Sequence, residues 1–139
     1  MIKFNLSIPE LDTKEIQAAT KAIKTGWIST AGSDVVKFEK KICEKTKSKY
    51  SLALNSGTSA IHLALIASNV EKSDEVLVQS LTYVATINPI LYLGASPIFF
   101  DVDDKFNMKL ENVIEFLKNN TFIQNKKCIN KKSRKIIKA

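Results

Sequence analysis

Histidine and cysteine are scarce in this chain of 139 residues: one histidine, His62, and two cysteines, Cys43 and Cys128. A zinc site draws on about four such ligands, and the cysteines form no CxxC pair, so no metal centre is expected. The two thiols are expected to stay reduced rather than form a structural disulfide. Long apolar runs are missing as well. None approaches the roughly 20 residues that span a bilayer. The opening MIKFNLSIPE lacks the basic-then-apolar layout of a secretion signal. The expected compartment is the cytoplasm, with no membrane partner. Acidic residues are missing from the tail. KKCINKKSRKIIKA, from Lys126 onward, carries only basic charge, and the rest of the chain is formally balanced although the net charge is +7. Such a tail either binds a polyanion or is a solvated lysine-rich loop. It has no aromatic residue to stack on a base, so nucleic acid is not expected and the solvated loop is favoured.

What remains is ordinary for a globular protein with one modest core: 45% apolar and 25% charged residues. TKEIQAATKAIK, residues 13–24, places Ile16, Ala19 and Ile23 at helical spacing behind Asp12 or Thr13 as N-cap, and Gly26 ends it. A Gly- and Ser-rich loop, GWISTAGSD, holds Trp27. Residues 34–47 predict a second helix with Val35, Phe38, Ile42 and Cys43 inward. YSLAL, residues 50–54, predicts a short strand, followed by a turn and a helix over about 58–68. Strands are predicted again at about 75–79 and 97–101. A helix over about 83–93, carrying Pro89, separates them. A last amphipathic helix turns Leu110, Val113, Ile114 and Leu117 inward. Strands alternating with helices are the mark of βαβ units. The expected fold is therefore α/β, in three layers around a mostly parallel sheet. RKIIKA at the end predicts entry into a further strand.

The stretch LALNSGTSAIHLAL, residues 52–65, concentrates the chemistry. An apolar strand meets Asn55, Ser56, Gly57 and Thr58, and an apolar helix starts at once. A helix beginning at the carboxyl end of a strand presents free N–H groups and the positive end of its dipole, which suits an anion such as phosphate. Gly57 permits close backbone approach, and Ser56, Thr58 and Ser59 can add hydroxyl donors. The alternative is that Ser56 or Thr58 merely caps its own helix. The turn is neither GxxxxGK[ST] nor GxGxxG, so no nucleotide fingerprint is present. His62, alone in an apolar pattern, reads as a packed residue rather than a catalytic base. Thr82 and Tyr83 follow the next strand. Tyr83 is either a stacking surface for a planar ligand or a core residue. DVDD at 101–104 reads as a solvated strand end.

Three stretches together carry a resemblance: TGWISTAG, FEKKICEKTKSKYSLALNSGTSAIHLAL and DEVLVQSLTYVATINPILYLGASPIFFDVD. In order, over about residues 4–120, they resemble the opening third of the DegT/DnrJ/EryC1/StrS family. These are pyridoxal-phosphate-dependent aminotransferases acting on nucleotide-linked keto sugars. The detail is most similar to the branch that aminates UDP-linked 4-keto sugars for legionaminic-type acids.

The resemblance implies the fold type I large domain, with residues 1–121 as its N-terminal part. Residues 122–139 would be a lysine-rich link into an incomplete next strand. It implies that Gly57, Thr58 and Ser59 hold the cofactor phosphate and that Tyr83 lies on the pyridine ring. Trp27, Ser29, Thr30 and Ser56 would enclose the sugar. Glutamate is the implied amino donor, and a homodimer the implied assembly of the complete enzyme. The family's cofactor-anchoring lysine and its pyridine-pairing aspartate have no matching motif here. No catalytic residue is therefore assigned, and the chain is expected to be an inactive N-terminal fragment.

Overall fold

The computed structural model of the protein describes residues 7–138. Residues 4–6 of the family resemblance and Ala139 of the final strand motif lie outside the described residues. The chain divides into two compact units at Ala53/Leu54.

In the first unit, α1 (Thr13–Lys24) starts with a capping box. The Lys14 N–H donates to Asp12 Oδ1 at 2.6 Å, and the Asp12 N–H donates to Glu15 Oε2 at 2.9 Å. The Asp12 carboxyl is held below its ordinary value, first by side-chain hydrogen bonding with Glu15 and then by the Lys14 N–H. Helix α2 (Ser33–Thr46) ends on Lys47 in the left-handed region. Of its expected inward residues, Val35, Ile42 and Cys43 are half-buried, whereas Phe38 is exposed.

The expected strand at 50–54 is not one. Residues 51–54 make no ladder with any strand among the described residues. Alternation of side chains gives an extended backbone, but a strand also needs a neighbour to take its N–H and C=O groups. Here the segment is tied to α2 instead: Glu39 Oε1 accepts the Ala53 N–H at 2.8 Å, and the Glu39 C=O accepts the Ser51 side-chain hydroxyl at 2.8 Å.

The second unit holds α3 (Gly57–Ala67), β1 (Glu75–Gln79), α4 (Val84–Tyr92), β2 (Ser96–Phe100), α5 (Leu110–Asn120), β3 (Thr121–Gln124), β4 (Lys127–Asn130) and β5 (Ile136–Ile137). One five-stranded sheet runs in the order β2-β1-β5-β4-β3. The β1–α4–β2 passage is the expected βαβ unit, its strands parallel from Glu75↔Ser96 to Gln79↔Phe100. Strand β5 also runs parallel to β1, while β3/β4 and β4/β5 are antiparallel, so the sheet is mixed.

The core gathers Leu65, Val70, Val76, Val78, Ile90 and Ala95. Pro89 and Ile90 are its most enclosed side chains. Gly94 suits its place because its φ of +69° lies in the left-handed region that L side chains rarely adopt, and an added Cβ would stand 3.1 Å from Lys72 Cγ. On α5, Val113 is buried, while Leu110 and Ile114 are exposed rather than inward.

The lysine-rich tail is not a solvated loop. It supplies β4 and β5, and a buried bond fastens it to β1: Asn130 Nδ2 donates to Glu75 Oε2 at 2.8 Å. Its cations also do structural work. Lys131 donates to the C=O of Asn119 at 2.7 Å, at the end of α5, and Lys135 Nζ donates to Ser96 Oγ at 3.0 Å.

Candidate anion-binding site

The apolar run from Ala60 drives α3 against α4, and the helix must begin where that run begins. Ser56 is its N-cap. The Ser56 hydroxyl accepts the Ser59 N–H at 3.2 Å, and the Ser56 C=O accepts the Ala60 N–H at 3.1 Å. Capping is thus part of what Ser56 does. It leaves the N–H groups of Gly57 and Thr58 with no hydrogen-bond partner among the described residues.

Gly57 is required neither by its backbone angles nor by crowding. It does not adopt a positive φ, and a Cβ built there meets nothing within 4 Å. The space above its Cα is open, with two unpaired N–H groups at the positive end of an 11-residue helix beside it. Thr58 and Ser59 are half-buried, and Ser56 and Gly57 are exposed. Donor set and space both suit a phosphate group.

Tyr83 is the N-cap residue of α4, which starts just past the carboxyl end of β1. Its side chain is 80% exposed, so it is not a core residue. The neighbouring Thr82 hydroxyl donates to Thr86 Oγ1 at 2.9 Å, bracing the first turn of α4. His62 packs edge-on against Tyr92, with ring centroids 5.7 Å apart. That contact gives it a packing partner. Trp27, Ser29 and Thr30 lie on the loop between α1 and α2 in the first unit, with Trp27 exposed. Ser56, Gly57, Thr58 and Ser59 form one turn in the second unit, which also contains Tyr83. Asp103 closes a local turn by accepting the N–H groups of Lys105 and Asn107, each at 2.9 Å.

Sequence reasoning passed over Asn55. Its Oδ1 accepts the Ser59 hydroxyl at 3.0 Å, and the Ser56 and Ser59 hydroxyl oxygens are 3.0 Å apart. The available signal was the i, i+4 spacing of Asn55 and Ser59 across the helix start. Glu39 was missed for a different reason: its partners, Ser51 and Ala53, are more than ten residues away.

A βαβ unit and a small polar turn that opens a helix with free N–H groups define an α/β protein. Comparison with known proteins makes the class specific. The model of the DegT/DnrJ/EryC1/StrS aminotransferase family matches residues 9–130. The chain belongs to this family.

It is 38% identical over 114 residues to GDP-perosamine synthase of Escherichia coli O157:H7, covering 81% of this chain and 31% of that protein. It is 41% identical over 122 residues to EpsN of Bacillus subtilis, covering 85% of this chain and 31% of EpsN. Among solved structures, an aminotransferase from Psychrobacter cryohalolentis superposes with a TM-score of 0.69 at 30% identity, covering 77% of this chain and 28% of that one. The PLP-form of Spr1654 from Streptococcus pneumoniae superposes with a TM-score of 0.72 at 29% identity, covering 82% and 29%. The chain therefore spans about a third of the length of the curated relatives it matches.

Proposed function

We propose that this chain is the N-terminal part of a pyridoxal-phosphate-dependent aminotransferase that aminates a nucleotide-linked 4-keto sugar in surface polysaccharide biosynthesis. Family membership supports the class. The observation that carries the site is the open turn at Gly57 and Thr58, with two unpaired N–H groups at a helix start. In this reading the N–H groups of Gly57 and Thr58 and the Thr58 hydroxyl receive the cofactor phosphate, with Ser59 holding the turn in shape. Tyr83 offers its exposed ring to the pyridine. By the family resemblance, Trp27, Ser29 and Thr30 are assigned to the sugar, as is Ser56. When bound, the cofactor supplies the electron sink through which an amino group passes from donor to keto sugar. Glutamate is the proposed donor, a homodimer the proposed assembly, and the cytoplasm the proposed compartment.

Residues 1–121 would form the N-terminal part of the large domain, and residues 122–139 the link into the strand that follows. No lysine of this chain stands in the family's cofactor-anchoring motif, so the 139 residues are proposed to bind without turning over. The test is to supply the chain with pyridoxal phosphate, glutamate and a GDP- or UDP-linked 4-keto sugar, beside a family-length enzyme carrying these 139 residues. Amino sugar from the long protein alone is the expected result, and the nucleotide it accepts assigns the branch. Amino sugar from the short chain would overturn the fragment reading.

A further inference from the structure

We infer that Asn55 is a positioning residue for the phosphate turn and acts through Ser59, an inference that rests on the phosphate reading above. Three hydroxyl or amide side chains meet at the start of α3. Asn55 Oδ1 can only accept, so the Ser59 hydroxyl donates to it at 3.0 Å. With that proton committed, the 3.0 Å contact between Ser59 Oγ and Ser56 Oγ requires Ser56 to be the donor. Ser56 Oγ in turn accepts the Ser59 N–H at 3.2 Å. The hydroxyl protons of both serines are thereby committed within the turn, and the direction of the relay is set by Asn55.

What is left without a partner among the described residues is the N–H of Gly57, the N–H of Thr58 and the Thr58 hydroxyl. Asn55 thus separates the donors that hold the turn from those free to meet an anion. Its loss releases the Ser59 hydroxyl to rotate and compete for the Ser56 oxygen. The N–H pair then loses its fixed direction, and binding must include the cost of ordering it.

The test uses pyridoxine 5′-phosphate, which carries ring and phosphate but no aldehyde to react with the many lysines. Binding to the 139-residue chain is followed through the amide resonances of Gly57 and Thr58, with pyridoxine as the phosphate-free control. Both resonances should shift with the phosphate ester and not with pyridoxine. Asn55→Ala should weaken the ester by about three- to tenfold, the effect of one hydrogen bond. Asn55→Gln, whose oxygen is displaced by a methylene, should do the same. Ser59→Ala should match them, and the Asn55→Ala/Ser59→Ala double variant should be no weaker than either single one.

If the unsubstituted chain shows no shift at Gly57 and Thr58, the phosphate reading fails and this inference with it. If the shifts occur but Asn55→Ala binds as tightly as the parent, or the two losses add, Asn55 does not act through Ser59. The positioning role is then overturned while the phosphate turn stands.

Discussion

At the scale of single residues, the turn makes a ranked set of expectations. A helix N-terminus and one hydroxyl together favour an anion by ~1–3 kcal/mol. Gly57→Val fills the open space above the Cα and should weaken pyridoxine 5′-phosphate binding more than Thr58→Ala, which removes one donor. Tyr83→Ala should cost ~1 kcal/mol of stacking, and Tyr83→Phe should be nearly silent, because the ring and not the hydroxyl is used. His62→Ala should leave affinity unchanged, since its ring is spent on Tyr92. Isothermal titration of each variant ranks them. Loss of binding in His62→Ala with Gly57→Val intact would remove the turn from the site. The turn was legible in sequence because Ser-Gly-Thr between an apolar run and a helical pattern forces a helix start. The relay through Asn55 was not legible, because sequence spacing places side chains near each other without saying which hydroxyl donates.

At the scale of elements, helix positions were readable from periodicity, and their surroundings were not. The spacing of Ile16 and Ile23 reveals α1, yet both side chains are exposed. The segment at 51–54 has a strand's alternation but no ladder, because pairing is a property of two segments. In the tail, the lysines on either side of Cys128 and Ile129 masked the strand pattern of β4, whereas the strand entry read at RKIIKA is β5.

Two element-level tests follow from the fold. Asn130→Leu leaves the Glu75 carboxylate buried without its donor and should destabilise the second unit by ~1–3 kcal/mol, read from denaturant unfolding. An unchanged midpoint would show that the bond does not fasten β4 to β1. The second concerns α1. The Asp12 carboxyl sits below its ordinary value of 3.8 in the folded chain. Its support for the helix is therefore present above that value and lost as pH falls through the lowered one. Amide shifts of α1 should show fraying in acid, and Asp12→Asn, which still caps, should remove Asp12's contribution to that pH dependence.

At the scale of the whole molecule, the second unit exposes more apolar surface than its small core can use. Leu63 and Ile66 on α3, Leu91 and Tyr92 on α4, Phe99 on β2, Leu110 and Ile114 on α5, and Ile123 on β3 are all exposed. The outer strands of the sheet, β2 and β3, also carry unpaired backbone groups along one side. Scattered exposed leucines are ordinary on any protein surface, but here they fall on every helix of the unit and on both edge strands. An apolar groove of about 380 Å³ between α5 and the hairpin, lined by Ile114, Leu117, Phe122, Ile123 and Cys128, belongs to the same surface. In the proposed reading this surface is covered by the remainder of a family-length enzyme. The 139-residue chain on its own should then bind a hydrophobic dye such as ANS and associate as its concentration rises. The family-length protein should do neither beyond its own defined assembly. Ile114→Glu and Ile123→Lys each place a charge on the exposed patch without touching the core cluster of Leu65, Val76 and Ile90. They should reduce dye binding and self-association of the short chain while leaving its unfolding midpoint nearly unchanged. Sedimentation velocity across a concentration series reads the outcome directly. A short chain that stays monomeric and dye-free at high concentration would mean that its apolar faces need no cover.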